Sequence, residues 1–312
     1  MSRYRLSVFG LLAMVVCACG SGGASKTGGG VGTSPIAPTA ASTPTGTTVE
    51  HELGVCGVTT FDSTQTPNFV PIVIPETDPM YGVGWHYCMK AFGVSMWAVE
   101  KFPESLLRHV TAVTAELLDN NEDGIVDDSS LNAELVRNYA AMYLVDESEK
   151  FSQFDFSDSS NIHRFKVTIS QHSGETDPFG SLCAEHCGQP NDVTLEEVLH
   201  LIQTAGYAFA HPDLSMEAPS LLTDAMAVAQ ANGDYNSDGN QCFGECAGIE
   251  YLYWGLTSLM GAQGAPGRCA AISAEWKLCT SEKVQTRNPT LYALLTDPIY
   301  QLPTRLPDGQ YQ

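Results

Sequence analysis

NDVTLEEVLHLIQTAGY, residues Asn191–Tyr207, reads as one amphipathic helix. Leu195, Val198, Leu199 and Ile202 recur at the i, i+3, i+4, i+7 spacing of a buried stripe. About 100° around the helix stand Glu196, His200, Gln203 and Tyr207, a second and polar stripe. Glu196 and His200 are one helical turn apart, so a carboxylate and an imidazole meet at one point and can share a metal ion. A structural role fits the same letters. Thr194 and Glu197 have capping-box spacing, with Thr194 as N-cap, and glutamates near a helix N-terminus are favoured by the macrodipole.

A further carboxylate belongs with this pair. Ala247–Gly267 contains a single acid, Glu250, among Ile249, Tyr251, Leu252, Tyr253, Trp254, Leu256, Leu259 and Met260, and reads as a buried helix. A charge in such a setting must be paired, protonated or metal-bound. A metal shared with Glu196 and His200 is one solution. Arg268, Lys277 or a buried tyrosine hydroxyl are others.

Glu196-Glu197-Val198-Leu199-His200 resembles the HExxH helix of zincin metallopeptidases, with Glu in place of the first His. The resemblance implies Glu196 and His200 as zinc ligands and Glu197 as general base. It also implies a zincin-like α+β fold and a peptide or protein substrate. In the gluzincin branch the third ligand is a Glu on a later helix, which points to Glu250. The chain departs from that branch at Trp254, where an Asp is expected, and Glu196 lowers the positive charge on the metal. The metzincin pattern fails, because the glycine and histidine after His200 are Gly206 and His211. EEVLHLI, EYLYWGLTSLMGAQ and YALLTDPIYQLPTRLPDG together resemble an uncharacterised family of secreted proteins across most of residues 50–312, a resemblance that supplies no activity.

Two DxNxDG loops point to calcium. In residues 119–130, Asp119, Asn121, Asp123 and Asp127 occupy liganding positions, the Ile125 carbonyl adds another, Gly124 makes the sharp turn and Val126 is the apolar residue after it. With a helix before and a helix after, from about Leu131 to Leu144, the arrangement resembles an EF-hand. Ser130 replaces the bidentate Glu, leaving Asp128 or Glu134 to complete the shell. The second loop, 234–245, offers Asp234, Asn236, Asp238, Asn240 and Glu245, with Gln241 breaking the apolar position.

The chain is acidic, at −21 over 312 residues, which argues against nucleic acid as a partner of the folded part. Arg3, Arg5 and the apolar run Leu6–Val16 form a leader too short to span a bilayer permanently. It ends in a Val-Cys-Ala-Cys-Gly that resembles a bacterial lipoprotein signal. Residues 1–18 are then the signal peptide and Cys19 is the lipidated residue, anchoring the chain in the cell envelope; cleavage near Ala18 and secretion is the alternative. Residues 19–49, rich in Gly, Ser, Thr and Pro, read as a flexible tether.

Eight cysteines remain beyond the leader, an even number that reads as a disulfide framework in an exported chain. Cys56–Cys88 and Cys269–Cys279 are local candidates. The Cys183/Cys187 and Cys242/Cys246 pairs join internally or with each other, or hold structural zinc, with disulfides favoured. Residues 50–312 are expected to form one disulfide-stapled domain, mainly α with a few short strands. Strands are expected at 70–74 and 164–170, and further helices at 103–118, 220–232, 271–278 and 288–295. No G-x-S-x-G, P-loop or G-x-G-x-x-G is present, and the second ExxH of a di-iron bundle is missing. The reading is a surface-anchored, calcium-stabilised, zinc-dependent hydrolase, against a non-enzymatic calcium-binding surface module.

Overall fold

A computed structural model of the chain describes residues 54–57, 67–148, 168–176, 192–237 and 244–312. Its sheet has five strands in sequential order: β1 (Ile72–Val73), β2 (Trp85–Ala91), β3 (Val94–Val99), β4 (Ala141–Val145) and β5 (Thr168–His172). The first three are antiparallel, while β3–β4 and β4–β5 are parallel. β1, within the strand expected at 70–74, lies at the sheet edge, where the nearby Pro71 and Pro75 need no ladder hydrogen bond. The β2–β3 hairpin turns on two residues with positive φ, Phe92 at 41° and Gly93 at 96°, a pair whose twist suits a two-residue hairpin loop. Phe92 is held in that conformation by an edge-on contact with Tyr311 and by the Asn132 side-chain amide, which donates to its carbonyl.

A parallel connection needs a crossover, and between β3 and β4 it is helical. α1 (Glu104–Leu118) follows Pro103, which suits a helix start because the first N–H groups have no intrahelical acceptor. α2 (Ser129–Arg137) is capped by Asp128, whose side chain accepts from the N–H groups of Ser130 and Leu131. The second helix therefore stops well short of Leu144. Tyr139 turns the chain with φ of 46°, and Ala141–Val145, buried throughout, becomes a central strand.

α3 (Thr194–Ile202) continues through a π-helical turn, Gln203–Tyr207, into Ala208–Ala210. It packs against α1, β4, β5 and α5. The remaining helices are α4 (Leu221–Ala231), α5 (Glu245–Met260), α6 (Arg268–Ala271), α7 (Ser281–Arg287) and α8 (Pro289–Leu295). Of these, α4, α5, α7 and α8 pack on one another. The helix expected over 271–278 is absent. Trp276, fully buried, pairs in a β-bridge with Tyr235 instead.

Disulfides join Cys56–Cys88 and Cys269–Cys279, and Cys246 is also disulfide-bonded. Cys183, Cys187 and Cys242 lie outside the described residues, as do the leader, Cys19 and the tether. The chain forms a single domain, about half helical. Among the described residues no helix is long and apolar enough to cross a membrane.

Candidate metal centre

The start of α3 is fixed from two sides. Asp192 accepts from Thr194 N–H at 3.1 Å through Oδ1, and its Oδ2 lies 2.8 Å from Nε2 of the buried His109 on α1. Gln171 of β5 donates to the Thr194 hydroxyl at 2.8 Å. Thr194 is thus the first helical residue. The cap residue is Val193, which makes no side-chain cap, so the capping box expected of Thr194 and Glu197 does not form. Sequence reasoning missed Asp192 because Thr194 offered an equally good cap signal two residues on.

α5 crosses α3 at Gly248. Its carbonyl accepts from Gln203 at 3.3 Å, and a Cβ at Gly248 would stand 2.8 Å from Met216 Cα. This close approach carries Glu250 to His200. The ligand atoms of Glu196, His200 and Glu250 lie within 4.8 Å of one another, and among the described residues no other three acidic, His or Cys side chains are so gathered. His200 Nε2 is 3.6 Å from Glu250 Oε2, and Nδ1 is 3.8 Å from Glu197 Oε2. Both distances are ion-pair separations, too long for hydrogen bonds. His200 Nε2 and Glu197 Oε2 are buried without a hydrogen-bond partner. Edge-on against the imidazole lies the Tyr253 ring, 5.7 Å between centroids.

The electrostatics are unbalanced. The carboxylates of Glu196 and Glu250 lie within 4.8 Å of each other, so if both were ionised they would repel by at least about 3 kcal/mol at an effective dielectric near 20. Burial first, and the Glu250 charge second, push the Glu196 carboxyl up to about 8 against the pull of His200. Burial alone would lower the His200 pKa, but Glu250 and Glu197 outweigh it and raise it well above the usual value. With the Glu196 carboxyl largely protonated at neutral pH, the one imidazolium still faces the two carboxylates of Glu197 and Glu250, a negative excess. Of the alternative partners of Glu250, Lys277 donates to the Gly233 carbonyl at 2.7 Å and Arg268 donates to Gln263 at 2.8 Å. Oxygen and imidazole donors, an orphaned ring nitrogen and a local negative charge together fit a divalent cation.

Glu275 is a further acid beside this centre that the sequence did not single out. Its Oε1 accepts from Trp254 Nε1 at 3.0 Å, one turn of α5 beyond Glu250, and its charge adds to the upward push on Glu196. It stands in the stretch read as a plain short helix.

The first acidic loop is ordered by its own backbone. Asp119 accepts from Asp123 and Gly124 N–H, Asn121 from Asp123, and Asp123 from Ile125, while Val126 is buried. Asp127 accepts from Asn120 N–H and the Asn121 amide. The two candidates for completing the shell are engaged elsewhere. Asp128 caps α2 and pairs with His211 at 2.6 Å, and Glu134 pairs with Arg137 at 2.6 Å. Tyr311 donates its hydroxyl to Asp119. In the second loop Asp234 is ion-paired with Arg287 at 2.7 Å, Asn236 donates to Ala274 carbonyl and Glu245 begins α5; Asp238 and Asn240 lie outside the described residues.

No protein-family model, curated protein or solved structure matches the chain.

Proposed function

We propose that this protein is a zinc-dependent hydrolase of zincin type, acting on a peptide or protein. What supports the reading is the convergence of Glu196 and His200 on α3 with Glu250 on α5 around a ring nitrogen that has no hydrogen-bond partner. Glu196, His200 and Glu250 would hold the ion. When bound, zinc supplies Lewis-acid polarisation of a carbonyl and a lowered pKa for water. The protein's part is to hold the three donors rigidly on two crossing helices and to close off one side with Tyr253. The zincin resemblance makes the inner carboxylate, Glu197, the base.

The test is cleavage of a mixed-sequence peptide library by the zinc-loaded chain. Hydrolysis that needs zinc and disappears in His200→Ala supports the reading. A fully zinc-occupied protein that cleaves nothing contradicts the hydrolase.

Calcium in the 119–130 loop is a second proposal, favoured by the carboxylate and amide turns that order it between two helices. Millimolar calcium should then raise the melting temperature, and Asp123→Ala should abolish the rise. Calcium at 234–245, and export with lipid on Cys19 as the membrane attachment, are proposed from sequence. Fatty-acid labelling that survives in Cys19→Ala would contradict the anchor.

A further inference from the structure

The two nitrogens of the His200 ring diverge, and each meets a different glutamate. Nε2 faces Glu250, on the side of the triad, at 3.6 Å. Nδ1 faces Glu197, three residues earlier on the same helix, at 3.8 Å. Glu197 Oε2 is buried and lacks a hydrogen-bond donor. Closing that 3.8 Å gap by under about 1 Å would complete an Nδ1–H hydrogen bond to it.

Given the cation site proposed above, on which this assignment rests, we propose that Glu197 is a positioning residue of His200 rather than the base implied by the zincin resemblance. It takes the Nδ1–H and leaves Nε2 as the donor to the cation. Two physical requirements separate the roles. A base must come within about 3 Å of the proton it abstracts, on the side of the reacting water. A carboxylate beside Nδ1 has the imidazole between itself and an ion held at Nε2. A ligating histidine, in contrast, normally gives its other ring N–H to a carboxylate or carbonyl, which fixes the tautomer and strengthens the ligand.

The roles predict different binding. Removing a base slows turnover and leaves metal affinity unchanged, whereas removing a positioning carboxylate weakens metal binding about 10–100-fold. The experiment is a zinc titration of the full chain against a chromophoric competitor, with Glu197→Ala and Glu197→Gln alongside, and circular dichroism to verify folding. Glu197→Ala is expected to bind zinc about 10–100-fold more weakly. Glu197→Gln, which keeps an acceptor but loses the charge, should fall between it and the parent. Variants that fold and bind zinc like the parent overturn the assignment. A parent that binds no zinc overturns the cation site itself, and the assignment with it. A second measurement needs no glutamate variant. In ring-nitrogen NMR of the zinc-loaded parent, the signals missing from His200→Ala should show a protonated Nδ1 and a zinc-bound Nε2. Zinc on Nδ1 would overturn the assignment.

Discussion

Glu116 lies buried on α1 with its carboxylate accepting the N–H groups of Gly309 and Gln310, both at 2.9 Å. Burial, with Asp308 nearby, pushes its pKa up to about 7 despite those two hydrogen bonds. Folding therefore takes up a proton between the ordinary carboxyl range and about pH 7. The stabilising contribution is fully present below pH 4.5 and is lost as pH rises to about 7. Comparing melting temperatures of the parent and Glu116→Gln across pH 4 to 8 checks this. The parent should decline more steeply through that window, and parallel curves would contradict it. At the same scale, Glu196, His200 and Glu250 were legible in sequence for definite reasons. Two stand one helical turn apart, and the third is the lone acid in an apolar run. Glu275 and Asp192 were not legible, because their partners, Trp254 and His109, are 21 and 83 residues away and are brought close only by the fold.

Among the elements, α2 depends on one side chain. Asp128 caps its N-terminus and pairs with His211 across the π-helical turn that extends α3. Burial would raise its pKa, yet Ser130, His211 and the Leu131 N–H together bring it below the usual carboxylate range. Asp128→Ala removes the cap and leaves His211 without its carboxylate, an expected loss of about 2–4 kcal/mol in urea unfolding. A change under about 0.5 kcal/mol would show that the pair is idle. α1, α3 and α5 were readable because each has an apolar stripe or run of helical length. The β2–β3 hairpin was not. Every residue of β3 is buried, so no alternation of polar and apolar marks it, and Phe92-Gly93 is not an Asn-Gly or Asp-Gly turn. β4 was absorbed into α2 for the same reason, since a short apolar run carries no period of its own.

Across the whole molecule, the proposed metal centre depends on how closely α5 approaches the chain before α4. Gly248→Ala would place a methyl 2.8 Å from Met216 Cα and 2.9 Å from its carbonyl oxygen, so backbone must shift. The expected outcome is a loss of about 1–3 kcal/mol together with weaker zinc binding, because Glu250 rides on the displaced helix. Unchanged zinc affinity in that variant would show that the crossing is not what positions Glu250. The Cys269–Cys279 loop carries Glu275 and the buried Trp276. Replacing both cysteines by serine should reduce stability by about 2–3 kcal/mol, read by chemical unfolding. The single mainly helical domain and these local disulfides were readable from length, cysteine spacing and helical periodicity. The mixed sheet needed pairings between strands about 45 residues apart, such as Ser95 with Ala141, that no local pattern encodes. The central claim, a zinc ion held by Glu196, His200 and Glu250, is tested most directly by elemental mass spectrometry of the purified chain beside His200→Ala and Glu250→Gln. About one zinc per chain, lost in His200→Ala and reduced in Glu250→Gln, is the predicted result. Zinc absent from the parent, or retained undiminished in both variants, would contradict it.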